Sequence, residues 1–170
     1  AKAVRFQENN IKMMKETFDK KPDFTFFEGD FVVLDGNNIC GFSEWGFEPL
    51  KHFLKKIRKS TLGYHIFFDA NIIRAANEKG LLDDLKNKKD PLRAALSKCL
   101  DVPQNKITIG PSKQEADSYL LKFAGDKASA AIISCDNFTD FREAMPWIEE
   151  EKLLKFVVTD GQVILPRLNL

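Results

Sequence analysis

The stretch "FVVLDGNNIC", residues 31–40, decides the fold. Four apolar residues in a row read as a strand buried on both faces, because a strand with one wet face would alternate apolar and polar positions. The run stops on Asp35, which is followed by a glycine and two asparagines, and no helix start is expected at Gly36. A buried strand that delivers a carboxylate at its carboxyl end suits an open parallel sheet, where ligands bind just beyond the strand ends.

Four more strand candidates follow Phe31–Leu34: Tyr64–Phe68, Lys106–Ile109, Ala130–Ser134 and Leu154–Val158. Helical patterns separate them at Pro49–Lys59, Ile72–Lys86, Leu92–Leu100, Gln114–Ala124 and Phe138–Glu150. That alternation predicts an α/β fold with a mostly parallel sheet, helices on both faces and right-handed crossovers. Asp160-Gly161 between two short apolar runs is a two-residue hairpin signal, so the sheet is expected to end in an antiparallel C-terminal edge. Residues 1–29 read as an amphipathic helix and lead-in, with Val4, Ile11, Met14 and Phe18 at helical spacing. Residues 30–170 read as one domain.

The chain of 170 residues carries a net charge of +1, so nucleic-acid binding would need a local patch rather than a global field. The longest apolar runs, such as Ala128–Ile133, fall well short of the ~18 residues of a membrane span. No secretory h-region opens the chain, and a cytoplasmic setting is the expectation. Cys40, Cys99 and Cys135 are odd in number and share no metal-binding spacing, which suits small core residues in a reducing compartment.

The residues just past the strand ends are acidic. Asp35 follows the first strand, Asp69 the second and Asp136 the fourth, with Asp140 one helical turn further on; Asp117 lies in the second turn of the helix after the third. Carboxylates gathered without a counter-charge repel one another and raise each other's pKa, and a divalent cation removes that cost. An all-oxygen set without His or Cys suits Mg²⁺, with Mn²⁺ able to substitute, and points to phosphodiester hydrolysis. Gly36 would let a ligand approach the backbone, and Asn37 or Asn38 would donate to a phosphate or steady an acid.

Each acid also has a purely structural use. Ser112-Lys113-Gln114-Glu115 fits a capping box, Asp117 complements a helix dipole, and Asp69, Asp136 and Asp140 suit helix starts. Arg74 and Lys113 are the basic residues nearest the strand ends and are expected to contact phosphate. The other runs, Lys51 to Lys59 and Lys86 to Lys89, are read as solvated surface. Phe42 and Trp45 are candidates for stacking on unpaired bases. His52 and His65 lie away from the acids, and no phosphate-binding glycine loop is present. A phosphatase using an aspartyl nucleophile would need an acid where Asn37 stands.

Asp35-Gly36-Asn37-Asn38 after a hydrophobic strand, Asp117 in "EADSYLLKFA", and Asp136 with Asp140 in "IISCDNFTDF" together resemble the NYN branch of the PIN-like nucleases, in particular the Regnase-type endoribonuclease domain. The similarity spans roughly residues 30–166. It implies a PIN-like, Rossmannoid three-layer sandwich with central strand order 3-2-1-4-5. It further implies a Mg²⁺-dependent endoribonuclease acting on mostly single-stranded RNA, with Asp35, Asp117, Asp136 and Asp140 as catalytic metal ligands and Asn38 beside them. RNA is then the partner, no membrane is involved, and a homodimer is compatible. Ala116 stands where such enzymes often carry a second helix acid, which leaves Glu115 to compensate or the domain to be a catalytically inactive RNA- or protein-binding relative.

Overall fold

The computed structural model describes residues 8–12, 26–41, 46–78, 91–148, 152–168 and 170. Among them a five-stranded, wholly parallel sheet runs β1 (Phe31–Asp35), β2 (Gly63–Asp69), β3 (Ile107–Gly110), β4 (Ala130–Ile133) and β5 (Leu153–Leu154), in the spatial order β3-β2-β1-β4-β5. The helices are α1 (Gly36–Cys40), α2 (Glu48–Arg58), α3 (Ile72–Glu78), α4 (Pro91–Leu100) and α5 (Lys113–Gly125).

Side-chain parity divides the core into two layers. Val32 and Leu34, with Ile66, Phe68, Ala131 and Ile133, face one way and pack beneath α2 and α4; Leu50, Phe53, Leu54, Ile57, Leu96 and Leu100 complete that layer. Val33, Phe67 and Ile132 face the other way, against Leu120, Leu121 and Ala124 of α5. Both faces of every central strand are therefore covered, which is why the strands read as unbroken apolar runs. α2 presents Leu50, Phe53, Leu54 and Ile57 as one buried stripe, with Pro49 near its start and Lys55, Lys56 and Arg58 in its last turn, where cations complement the helix dipole.

Three local expectations are corrected. A helix does begin at Gly36: α1 follows β1 without a loop, and Asp35 is its N-cap, accepting from the Asn38 N–H at 3.4 Å. Between Phe138 and Ile148 the chain makes only a short 3-10 helix, Thr139–Phe141, followed by turns, rather than a full helix. Phe138 sits at a left-handed φ of 50°, outside helical space, and Pro146 lacks the N–H a helix would need. The last strand candidate divides into β5 and β6 (Val157–Thr159), because Phe156 turns into the α2 layer. The hairpin of β6 with β7 (Gln162–Ile164) forms as expected and makes its own two-stranded sheet, with β7 packed on α2.

Of the N-terminal helix only residues 8–12 are described; they are helical, and Ile11 is 46% exposed. No described helix is long and apolar enough to cross a membrane.

Candidate active site

The chain begins in the middle of the sheet, builds outward through β2 to β3, and crosses back over α5 to lay β4 on the free side of β1. The strand order therefore reverses between β1 and β4, and a crevice opens beyond their carboxyl ends. The parity that puts Val33 and Phe67 on the α5 face does the same for Asp35 and Asp69, two residues further along each strand. Ser134 follows β4 at the position level with Asp35 and has the same facing. Three polar side chains are consequently sunk at the sheet edge: Asp35 and Asp69 are 8% and 6% exposed, and Ser134 is fully buried.

A glycine brings the helix to them. A Cβ on Gly110, at the end of β3, would lie 2.6 Å from the Ala116 nitrogen and 2.8 Å from its Cβ. Without that atom, the first turn of α5 rests directly on the strand end and sets Asp117 beside the strand acids. Ala116 is buried in this contact, so an acid at that position would clash rather than reach the hollow. Glu115 is exposed and lines neither hollow, and its N–H donates to the Ser112 side chain in the N-cap anticipated from the sequence.

Asp35, Asn37, Asn38, Asp69, Lys113, Asp117 and Asp136 line one hollow of about 250 Å³. A larger hollow of about 650 Å³ adjoins it, sharing Lys113, Asp117 and Asp136 and adding Gln114, Phe138, Thr139, Asp140 and Phe141. Among the predicted acids, Asp35, Asp117 and Asp136 thus meet in the smaller hollow, and Asp140 stands in the adjoining one, exposed. Asp69 joins them. Asn38 and Lys113 are in place as well, whereas Arg74 lies apart in a depression with Ala70 and Asn71. The cations of α2 line neither hollow; Arg58 is engaged with the Leu100 carbonyl at 2.7 Å and with Asp101 at 3.5 Å. Phe42, Trp45 and residues 86–89 lie outside the described residues.

The hydrogen bonds show that capping a turn and lining the hollow coexist in these acids. Asp69 accepts from the Asn71 N–H and Asp136 from the Phe138 N–H, each at 2.8 Å through one carboxylate oxygen. The other Asp136 oxygen faces the Lys113 ammonium at 3.7 Å. Asp35 accepts from Asn38 with one oxygen and from the Ser134 hydroxyl at 2.7 Å with the other. The asparagines are ties between strand ends: Asn37 accepts from the Asp69 N–H and Asn38 from the Cys135 N–H, both at 2.8 Å. Only the NH₂ group of Asn38 can therefore serve a ligand. Gly36 has its own use, since a Cβ there would lie 2.4 Å from the Phe68 ring, so its bareness admits a core aromatic rather than a substrate.

Electrostatically the hollow is strained. Burial lifts the Asp35 carboxyl to about 6, even though Ser134 and Asn38 donate to it. Asp117 is lifted to about 7, first by burial and then by the charges of Asp35, Asp136 and Asp69, with Lys113 opposing. No hydrogen bond steadies Asp117 among the described residues. His65, by contrast, is spent in the core, hydrogen-bonded to Thr108 at 2.7 Å, stacked near Phe67 and Phe123, and lowered to about 4 by burial.

Sequence reasoning did not single out Ser134, Gln114, Thr139 or Phe141. Ser134 was recoverable from period-two parity, because it continues an apolar strand on the face that Asp35 shares. The others depend on where the chain turns after β4, which no local pattern signals.

The chain matches no protein-family model and no curated protein. Among solved structures it superposes, over 97% of its length, on part of Arabidopsis thaliana nuclear protein-only RNase P 2 (PRORP2), with a TM-score of 0.51 and 14% identity. The match takes in 34% of that chain, so this chain spans about a third of it. At such identity the likeness is one of fold, and the sheet order 3-2-1-4-5 with helices on both faces is the α/β arrangement expected of a PIN-like sandwich.

Proposed function

We propose that the acidic hollow is the active site of a metal-dependent endoribonuclease of the Regnase-like type, with Asp35, Asp117, Asp136 and Asp140 serving one or more Mg²⁺ ions. The observation that supports this is the meeting of Asp35, Asp69, Asp117 and Asp136, from four separate segments, around one open hollow with a single ammonium among them. Structural caps alone give no reason for four carboxylates to converge on one hollow.

The donor chemistry fits a hard divalent cation. All the candidate ligands are carboxylate oxygens, and neither histidine nor cysteine lines the hollow. Among the described residues no three such side chains stand together closely enough to enclose an ion. That is compatible with Mg²⁺, which keeps much of its water and binds through one or two carboxylates. When bound, Mg²⁺ supplies an activated water and offsets the charge that builds on the scissile phosphate.

The chain's own groups have separable tasks. Lys113 swings between Asp136 and a phosphate oxygen, since its side chain is 69% exposed and only loosely paired. The Asn38 NH₂ group donates to the phosphate from the opposite wall. Ser134 fixes the orientation of Asp35, and Asp117, raised to about 7 while no cation is present, would give up its proton as a cation binds. Hydrolysis by water at such a site leaves 5′-phosphate ends.

The test is incubation of end-labelled single-stranded RNA with the chain and with Asp136→Asn, in Mg²⁺, Mn²⁺ and EDTA. Cleavage by the wild type alone, abolished by EDTA, is the expected result. Binding without cleavage by either protein would mark an RNA-binding relative that has lost catalysis, and cleavage by both in EDTA would overturn the site.

A further inference from the structure

Beyond the carboxylates it contributes, the larger hollow has no role in the scheme above, and its other walls differ in kind from those of the acidic one. One side is the partly buried ring of Phe141 backed by Phe138, and the exposed Gln114 and Thr139 supply hydrogen-bonding groups at the mouth. Its volume of about 650 Å³ is of the size that takes one small ligand. Because Lys113, Asp117 and Asp136 line both hollows, a strand with a phosphate at the acids leads its adjoining nucleotide into this space.

We propose that this hollow is a single-nucleotide subsite, in which one unpaired base next to the scissile phosphate stacks on Phe141 and presents its edge to Gln114 and Thr139. The proposal rests on the nuclease reading for the position of the phosphate, but the pocket itself does not depend on catalysis. Aromatic faces accept any base, whereas a base held in a duplex is already stacked and paired and does not enter.

The wall is fixed before any ligand arrives. Phe138 is 2% exposed and held at a φ of 50°, a conformation that bulky residues rarely adopt outside constrained sites. Its N–H donates to Asp136, Arg142 donates to the Asn137 carbonyl at 2.9 Å, and the Met145 N–H donates to the Phe141 carbonyl at 2.9 Å. The same Asp136 that faces the acids thus sets the loop carrying Phe141, coupling base position to phosphate position. Preformed walls keep the ordering cost of binding low.

Binding and cleavage are measured separately. In NMR titrations of the full chain with each 5′-mononucleotide and with ribose 5-phosphate, the Gln114 side-chain amide and the Phe141 ring resonances are expected to shift with nucleotides and not with the sugar phosphate. Phe141→Leu, which keeps bulk in the core, should weaken nucleotide binding roughly tenfold, in keeping with the loss of one stacked base, and Phe141→Tyr should restore it. Equal binding of ribose 5-phosphate and nucleotides, or an unchanged affinity in Phe141→Leu, would overturn the subsite whether or not the chain cleaves RNA. In cleavage assays, one abasic position scanned through the substrate should slow wild type most when it adjoins the cut. That same lesion should add nothing to the defect of Phe141→Leu; additive losses would count against the subsite while leaving the nuclease reading intact.

Discussion

The Ser134 hydroxyl donates to Asp35 at 2.7 Å while accepting from the Asp136 N–H at 3.0 Å, so one fully buried side chain joins the acid that ends β1 to the acid that follows β4. The bond spans the point where strand order reverses, and it holds the crevice at a fixed width. Asp35 is buried, and this is its shortest hydrogen bond.

Ser134→Ala should therefore act on both stability and chemistry. Leaving a buried carboxylate short of a donor costs about 1–3 kcal/mol. Because the lost donor favours the ionised form, the Asp35 carboxyl rises above its present value of about 6. The acid limb of the pH–rate profile is expected to move to higher pH in the variant, read from kcat/KM across pH 5 to 8. A loss of activity with an unchanged profile would leave Ser134 a merely structural role.

The raised carboxyls make the cation-free fold sensitive to pH. Asp35 at about 6 and Asp117 at about 7 both lie above their ordinary 3.8, so the folded chain keeps protons that the unfolded chain has released. Their contribution to stability is intact below about pH 4 and declines as pH rises toward 7, with Asp35 alone worth on the order of 3 kcal/mol. His65 opposes this between about 4 and 6.5, because its depressed value favours folding as pH rises. His52, lowered by burial and by Lys56 and Lys55, opposes it as well, but the histidines' effect is spent near pH 6.5 whereas Asp117 titrates at about 7, so thermal melts in EDTA should show Tm falling from pH 6.5 to 7.5. Mg²⁺ should raise Tm more at pH 7.5 than at pH 5, since a cation binds the ionised carboxylates.

Asp117→Asn removes the most strongly repelled acid without changing its shape. In EDTA at pH 7.5 the variant should melt a few degrees higher than wild type, and its Tm should vary less with pH. Its cleavage of RNA should drop roughly a hundredfold or more, as expected for loss of a metal-holding carboxylate, since even the outer partners of such ligands are worth about 10–100-fold. A variant that is less stable at pH 7.5 would mean that the surrounding carboxylates do not strain the fold.

Gly110→Ala tests how Asp117 is delivered. The added Cβ would lie within 3 Å of Ala116 backbone and side-chain atoms, so α5 must shift away from the strand end. Overpacking of this kind costs about 1–3 kcal/mol. Cleavage should fall by more than stability does at 25 °C, measured as kcat on fully folded protein, whereas Ser112→Ala, which only loosens the cap of the same helix, should cost stability with little effect on kcat.

Lys113 and Arg74 were equivalent from the sequence and are separated by the fold. Lys113→Ala should weaken RNA binding and reduce its salt dependence by about one ion, while Arg74→Ala should have a smaller effect, because Arg74 lines a separate depression that shares no residue with the acidic hollow. Fluorescence anisotropy with labelled RNA across a salt series checks both.

The sequence by itself determined the layering and the inventory of acids. Runs such as Phe31–Leu34 and Ala130–Ile133, apolar at every position, can be buried only between two covered faces, and the helical stripe of α2 supplies one of the covers. Asp35 and Asp136 were legible because they end or follow strands whose apolar runs are plain in the chain, and Asp117 because it lies one turn into a helix whose cap is plain. Only the tertiary structure decided that Asp69, one of the strand-end acids, both caps its own turn and lines the hollow, that Arg74 lines a separate depression, that α1 follows β1 directly, and that the segment after β4 makes an aromatic wall instead of a helix. Those outcomes depend on close approaches between residues far apart in the chain, such as Gly110 on Ala116, Gly36 on Phe68 and Ser134 on Asp35. Local periodicity encodes which face of an element is buried, but not which distant atom fills the space beside it.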